Sequence, residues 1–331
     1  MEHSRMKHIR ASVILALGLI ACACSLIAQM PSEKAETPLR EKIIIDTDVG
    51  DDIDDAFAIA LALRSPELQV LGFTATFGDT ALRAKLLDRL LADTGNADIP
   101  VAQGVPSSRK QNFTQAHYAL ERSDVQKHSD ATTFVLEQVR KAPGQITLVA
   151  IGPLMNVGAM IDKDAATFRK LKRIVLMGGS IDRGYGDLEY GPIHGADPEW
   201  NISNDPLSAQ KLVASNVPLY ILPLDSTQLK LDEVKRSILF KQGNSFTDAL
   251  ALLYLEWGQQ TPTLFDPMTI AWIIKPSLCP MQPIRIRIDE KGFTRREQGK
   301  PNAQVCLKSN PEEFFNFYIP RLLSPHLANV Q

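Results

Sequence analysis

Short apolar runs alternate with longer helix-forming stretches along most of the chain. Lys42-Ile43-Ile44-Ile45 is a continuous β-branched run, as a strand buried on both faces requires. Ala56 to Leu63 (AFAIALAL) has instead the length and composition of a buried helix. The unit repeats. Val70–Thr74 predicts a strand and Ala81–Ala92 a helix; Ile146–Ile151 predicts a strand and Asn156–Ile161 a helix. Ile174–Met177 reads as a strand, Pro206–Ala214 as a helix and Leu219–Leu222 as a strand, with further helices over Thr247–Trp257 and Thr269–Ile274. This alternation argues for an α/β fold, an open, mostly parallel sheet with helices on both faces. Ligands of such sheets bind beyond the carboxyl ends of the strands. Segment 181–198, with Gly184, Gly186, Gly191 and Gly195, is long and glycine-rich and so a candidate active-site loop. There is no internal repeat and no low-complexity tract.

Charge and composition narrow the picture. The 331 residues carry 36 Lys+Arg against 38 Asp+Glu, a formal charge of −2, so no global field attracts nucleic acid. With 44% hydrophobic and 22% charged residues, disorder is excluded as the chain's main character. The front end is an address. Arg5, Lys7 and Arg10 precede an apolar run from Ala11 to Ala21, the layout of a secretory signal. Leu19-Ile20-Ala21-Cys22 resembles the bacterial lipoprotein signal, in which the cysteine, here Cys22, is lipidated and becomes the mature N-terminus. Cleavage near Ala28, or an uncleaved anchor reaching it, is the alternative. The predicted organisation is a signal over residues 1–21, a flexible tether over 22–41 and one catalytic domain over 42–331. The expected location is the periplasm, free or membrane-anchored, with membrane contact only through the lipid. In that compartment Cys279 and Cys306 could pair.

Between the first strand and helix stands Asp46-Thr47-Asp48-Val49-Gly50-Asp51-Asp52-Ile53-Asp54-Asp55. Six carboxylates in ten residues repel one another, and folding them together without a cation raises their pKa values. Two of them, Asp54 and Asp55, also suit a helix N-terminus. The density of the rest points to a hard divalent cation with oxygen ligands. An EF-hand is excluded, because the loop follows a strand and no Glu stands at its twelfth position.

Two families share features of this loop. Asp46-Thr47-Asp48-Val49 fits the first motif of haloacid-dehalogenase-like phosphatases, but no acidic pair of the right kind follows the strand at Ile174–Met177. Strand, Asp-x-Asp-x-Gly and an Asp-Asp pair opening a helix resemble the nucleoside hydrolase family (inosine-uridine preferring). Further segments match in order. They are Gly152-Pro153-Leu154-Met155-Asn156, Val175-Leu176-Met177-Gly178-Gly179, Glu199-Trp200-Asn201-Ile202 with Asp205-Pro206, and Phe265-Asp266-Pro267-Met268. The likeness covers roughly residues 42 to 275.

What the resemblance implies is specific. It implies a Rossmann-like domain that hydrolyses the N-glycosidic bond of ribonucleosides with Ca2+. Asp48 is then both a metal ligand and the base for the attacking water, with Asp55, Asp266 and the Met155 carbonyl as further ligands. Asp54, Glu199 and Asn201 would hold ribose hydroxyls. The family commonly forms dimers or tetramers, so a second copy is a candidate partner beside the nucleoside. Departures are equally specific. Two extra residues precede the helix, so Asp52 is an alternative loop ligand. Asp79 stands where the family has asparagine, either near the sugar or as a helix cap. Phe265 replaces the histidine that would protonate the leaving base. His117 and His194 are the histidines in candidate loops, and Tyr185, Tyr190 and Trp200 join Phe265 as candidate stacking partners. A nucleoside-binding lipoprotein without turnover is the other reading of the same groups.

Overall fold

The computed structural model describes residues 40–108, 113–120, 127–187 and 192–324. Cys22, Tyr190 and the signal and most of the tether lie outside the described residues. β1 (Glu41–Thr47) starts one residue ahead of the expected boundary, because Arg40 and Glu41 are already tied to the neighbouring strand. α1 (Asp54–Leu63) follows, then β2 (Leu68–Ala75), α2 (Thr80–Asp93), β3 (Val101–Gln103), α3 (Ala116–Leu120), β4 (Ser129–Asp130) and α4 (Ala131–Lys141). The second half runs through β5 (Ile146–Ala150), α5 (Met155–Phe168), β6 (Arg173–Met177), α6 (Trp200–Ser203), α7 (Pro206–Ala214) and β7 (Leu219–Leu222). It continues with α8 (Leu224–Thr227), α9 (Glu233–Phe240), α10 (Ser245–Trp257), α11 (Pro267–Ile274), β8 (Met281–Ile288), β9 (Thr294–Glu297), β10 (Ala303–Cys306) and α12 (Pro311–Leu323).

Among the described residues ten strands form one mixed, mostly parallel sheet in the order β4-β3-β2-β1-β5-β6-β7-β10-β8-β9. Chain order runs outward from β1 through β2 to β4, then returns to β5 on its other side. β1 and β5 therefore flank the topological switch point, where the loops leave the sheet in opposite directions and open a crevice. Ile43 and Ile45 face one core and Ile44 the other, so the apolar run predicted as β1 is buried on both sides. From Ala56 onward α1 is apolar on every side, and all of its residues but the last are buried. It passes through the larger core beneath α10, α11 and α12.

The last strands were not foreseen. β8 pairs antiparallel with β10 and β9, extending the parallel sheet. Ile284, Ile286 and Ile288 alternate inward from β8 while Arg285 and Arg287 point outward. Cys279, after a short turn, and Cys306, at the end of β10, are disulfide-bonded with Cα atoms 5.6 Å apart.

Candidate active site

The acidic loop leaves β1 at the switch point. Asp46, still on the strand, is fully buried and accepts from Thr74 Oγ1 (2.5 Å) and Asn156 Nδ2 (2.7 Å). Burial pushes its carboxyl up to about 7. Asp48 lies past the strand end, its carboxylate and backbone N pressed against Gly152. A Cβ on Gly152 would stand 2.8 Å from Asp48 N and 2.9 Å from its Oδ1. The Gly-Pro-Leu motif after β5 thus closes the floor beneath Asp48, and only glycine fits there. Burial raises Asp48 to about 6 against the nearby Arg83 charge, which lowers it.

α1 brings two carboxylates inward on its first turn, where the helix dipole favours negative charge. Thr47 Oγ1 donates to Asp55. Asp54 Oδ2 accepts from the Asp266 backbone N–H at 3.3 Å. Asp266 opens α11 but makes no capping bond with its side chain, so helix capping does not account for it. Asp54, Asp55 and Asp266 are all buried, and one carboxylate oxygen from each lies within 4.8 Å of the others. Burial, then mutual repulsion with Asp48 among the neighbours, holds all three well above the usual carboxylate range. Such a cluster either shares protons or takes a cation, and three hard oxygen donors suit a hard divalent metal. The sequence reading named Asp48, Asp55, Asp266 and the Met155 carbonyl; the cluster holds Asp54 with Asp55 and Asp266, and the charge of Asp48 acts on it from close by.

Glu199 and Asn201 enter from the other wall. Buried Glu199 caps α6, accepting from the Asn201 N–H (2.8 Å), the Ile202 N–H (3.2 Å) and the Gly179 N–H (2.8 Å). Burial still lifts it to about 7. Asn201 Nδ2 donates to the Ile151 and Met177 carbonyls, stitching β5 to β6 at their carboxyl ends. Met155 opens α5, half-buried.

Aromatic rings form the rim. Trp200, 39% exposed, meets Phe77 edge-on with centroids 5.9 Å apart. Tyr185 meets Phe265 likewise at 6.1 Å. The Tyr185 hydroxyl accepts from the Trp200 backbone N–H at 3.0 Å, and Glu199 and Asp54 both act on it electrostatically.

Other candidates sit elsewhere. Asp52 is exposed and holds the Ile53 N–H; it stands outside the three-carboxylate cluster but near enough for its charge to raise Asp54. Asp79 is exposed and caps α2 through the Leu82 N–H (3.0 Å). His117, expected in a loop, lies exposed on α3, because Arg89 and Asp93 of α2 hold Tyr118 and wind the segment into a turn of helix. His194 Nδ1 lies 2.6 Å from Asp187, whose carboxylate also takes three backbone N–H donors from the glycine-rich loop. Sequence reasoning missed Arg83, a fully buried arginine whose guanidinium reaches the acidic loop. Nothing but its position three residues into a helix opened by Asp79-Thr80 could have drawn attention to it.

A mostly parallel sheet whose switch point carries a buried, cation-ready carboxylate cluster defines the class of α/β enzymes with an acidic site at the strand ends. Residues 43–316 match the family model described as inosine-uridine preferring nucleoside hydrolase, and the chain belongs to that family. It is 31% identical over 319 residues to the pyrimidine-specific ribonucleoside hydrolase RihA of Citrobacter koseri, covering 85% of this chain and 97% of that one. It is 29% identical over 279 residues to uridine nucleosidase 1 of Arabidopsis thaliana, covering 76% and 80%. Among solved structures, a plant nucleoside hydrolase superposes with a TM-score of 0.75 at 25% identity, covering 87% of this chain and all of that one. The protein is a ribonucleoside hydrolase, which sets aside both the phosphatase and the binding-only readings.

Proposed function

We propose that this enzyme hydrolyses ribonucleosides with Ca2+ bound among Asp48, Asp55, Asp266 and the Met155 carbonyl, Asp54 joining or bordering that set. The observation carrying this reading is the meeting of Asp54 and Asp55 with Asp266, far apart in sequence, with Asp48 beside them. The ion supplies charge neutralisation for these carboxylates and a Lewis acid beside the attacking water. Asp48 takes the proton of that water as its oxygen bonds to the anomeric carbon, and the C–N electron pair leaves with the base. Asp54, Glu199 and Asn201 orient the ribose, and the carboxylates around the site stabilise the positive charge that grows on the sugar. The rings of Phe265, Tyr185, Trp200 and Phe77 exclude water and flank the departing base. The relatives' named preference makes uridine the first substrate to try. The disulfide supports export, since such bonds are rare in reducing compartments, and lipidation at Cys22 is part of the same proposal.

Ribose release from uridine and inosine tests the reading. Chelation abolishes release and Ca2+ restores it. Asp48→Asn lowers kcat by about 100-fold or more. Release indifferent to chelator, or Asp48→Asn within a few-fold of the parent, would overturn the assignment.

A further inference from the structure

The acidic loop is two residues longer than the family motif, yet each carbonyl from Asp48 to Asp52 has a partner. Gly50 O accepts from the Gln115 N–H (3.1 Å), Asp51 O from Thr114 Oγ1 (2.6 Å) and Asp52 O from Gln115 Nε2 (2.8 Å). The remaining carbonyls, those of Asp48 and Val49, both accept from Arg83 Nη1. Buried carbonyls need partners, so this arginine completes the loop's account. Its other nitrogens are committed as well. Nη2 pairs with Asp51 Oδ2 at 2.7 Å, and Nε donates to Phe77 O at 2.7 Å. The guanidinium lies 5.2 Å from the centre of the Phe113 ring. That ring in turn fills the space a Cβ on Gly50 would need, 2.2 Å away. Phe77, held at φ 63°, carries the ring that meets Trp200.

We propose that Arg83 is a positioning residue for Asp48: one planar guanidinium, neutralised by Asp51 of the extended loop, fixes the Asp48–Val49 backbone and the Phe77 turn together. This rests on the reading of Asp48 as the water-activating carboxylate. The geometry needs a fork with several donors in one plane, which lysine cannot reproduce. Asp51 gives the lengthened loop its purpose here: a buried guanidinium without a carboxylate would be an uncompensated charge. The arrangement also puts a resident positive charge next to the carboxylate cluster without spending one of the cluster's oxygens on it.

The test compares Arg83→Met, Arg83→Lys and the charge-free pair Arg83→Met/Asp51→Asn in the full chain, each checked for folding by circular dichroism. Kinetics on uridine separate kcat from KM, and calorimetry with Ca2+ alone reads cation binding. A displaced Asp48 lowers kcat by about 100-fold, as small misplacements of a reacting group do, while KM stays within about three-fold. The charge-free pair keeps the fold, does not recover kcat, and still binds Ca2+. Arg83→Lys retains the charge but recovers little. If any folded variant lacking the guanidinium keeps parental kcat and KM and loses only thermal stability, Arg83 is structural and the proposal fails. Should Arg83→Met not fold, the charge-free pair and Arg83→Lys decide in the same way. Asp48→Asn run alongside separates the two readings. An active Asp48→Asn removes the base assignment, whereas an inactive one beside a parental Arg83 variant removes only this inference.

Discussion

The carboxyl end of β1 and the β8–β10 extension handle charge in opposite ways. On the extension, Arg287 and Glu297 pair at 2.8 Å and Arg295 and Asp289 at 3.1 Å, with side chains partly in water. Beneath them three isoleucines of β8 fill the smaller core. This is an economical surface: apolar inside, solvated pairs outside. At the end of β1 the carboxylates of Asp46, Asp48, Asp54, Asp55 and Asp266 are buried together, their pKa values driven up. No fold gains stability from such an arrangement, since each desolvated charge costs free energy until something compensates it. The contrast teaches which region was shaped for persistence and which for chemistry.

The sharpest way to break that contrast is Asp266→Asn. Removing one charge from the cluster lowers turnover by about 100- to 1,000-fold, the range for losing one electrostatic group from a site. The melting temperature of the metal-free protein holds or rises, because repulsion with Asp54 and Asp55 is relieved; a large fall would make Asp266 a structural residue. Next comes the Cys279→Ser/Cys306→Ser pair. Opening a bridge between positions 27 apart costs about 3 kcal/mol in denaturant unfolding and leaves kcat unchanged. The pH dependence follows. Burial raises Asp46 and Glu199 to about 7 in the folded chain, against 3.8 and 4.5 ordinarily. The folded state then holds protons that the unfolded chain has lost, so the stability these two groups contribute is fully present below about pH 4 and is lost as pH rises toward 7. Thermal melts of metal-free protein that rise across that window would contradict it. The smallest effect is Arg287→Ala, which removes an exposed pair and changes stability by less than about 1 kcal/mol.

Much of this was legible before any coordinates. The β-branched runs at Ile43–Ile45, Ile146–Ala150 and Ile174–Met177 read as strands because burial on both faces leaves no polar alternation to confuse them. The cluster was legible because motif order brought Asp266 to Asp55 across more than two hundred residues. What escaped was set by tertiary contact. β3 and β4 are too short for a period, and β8 to β10 lie beyond the motifs. α5 runs past Ile161 through the polar Asp162-Lys163-Asp164, with a non-helical turn at Asp164. Arg83 looked like any polar position on α2, since its burial depends on loops that fold over it from 35 residues upstream and 30 downstream. Tyr185 appeared only as a ring to stack, whereas its hydroxyl joins the opposite wall.

Gly152 carries a practical consequence. A Cβ there would lie within 3 Å of Thr76 Cγ2 and of Asp48 N and Oδ1, so the wall behind Asp48 has no room for even one more carbon. The aromatic side chains of Tyr185, Trp200 and Phe265 are where a change of shape can be made, by substituting rings rather than main chain. The depth of the cleft is, in effect, a constant of the scaffold.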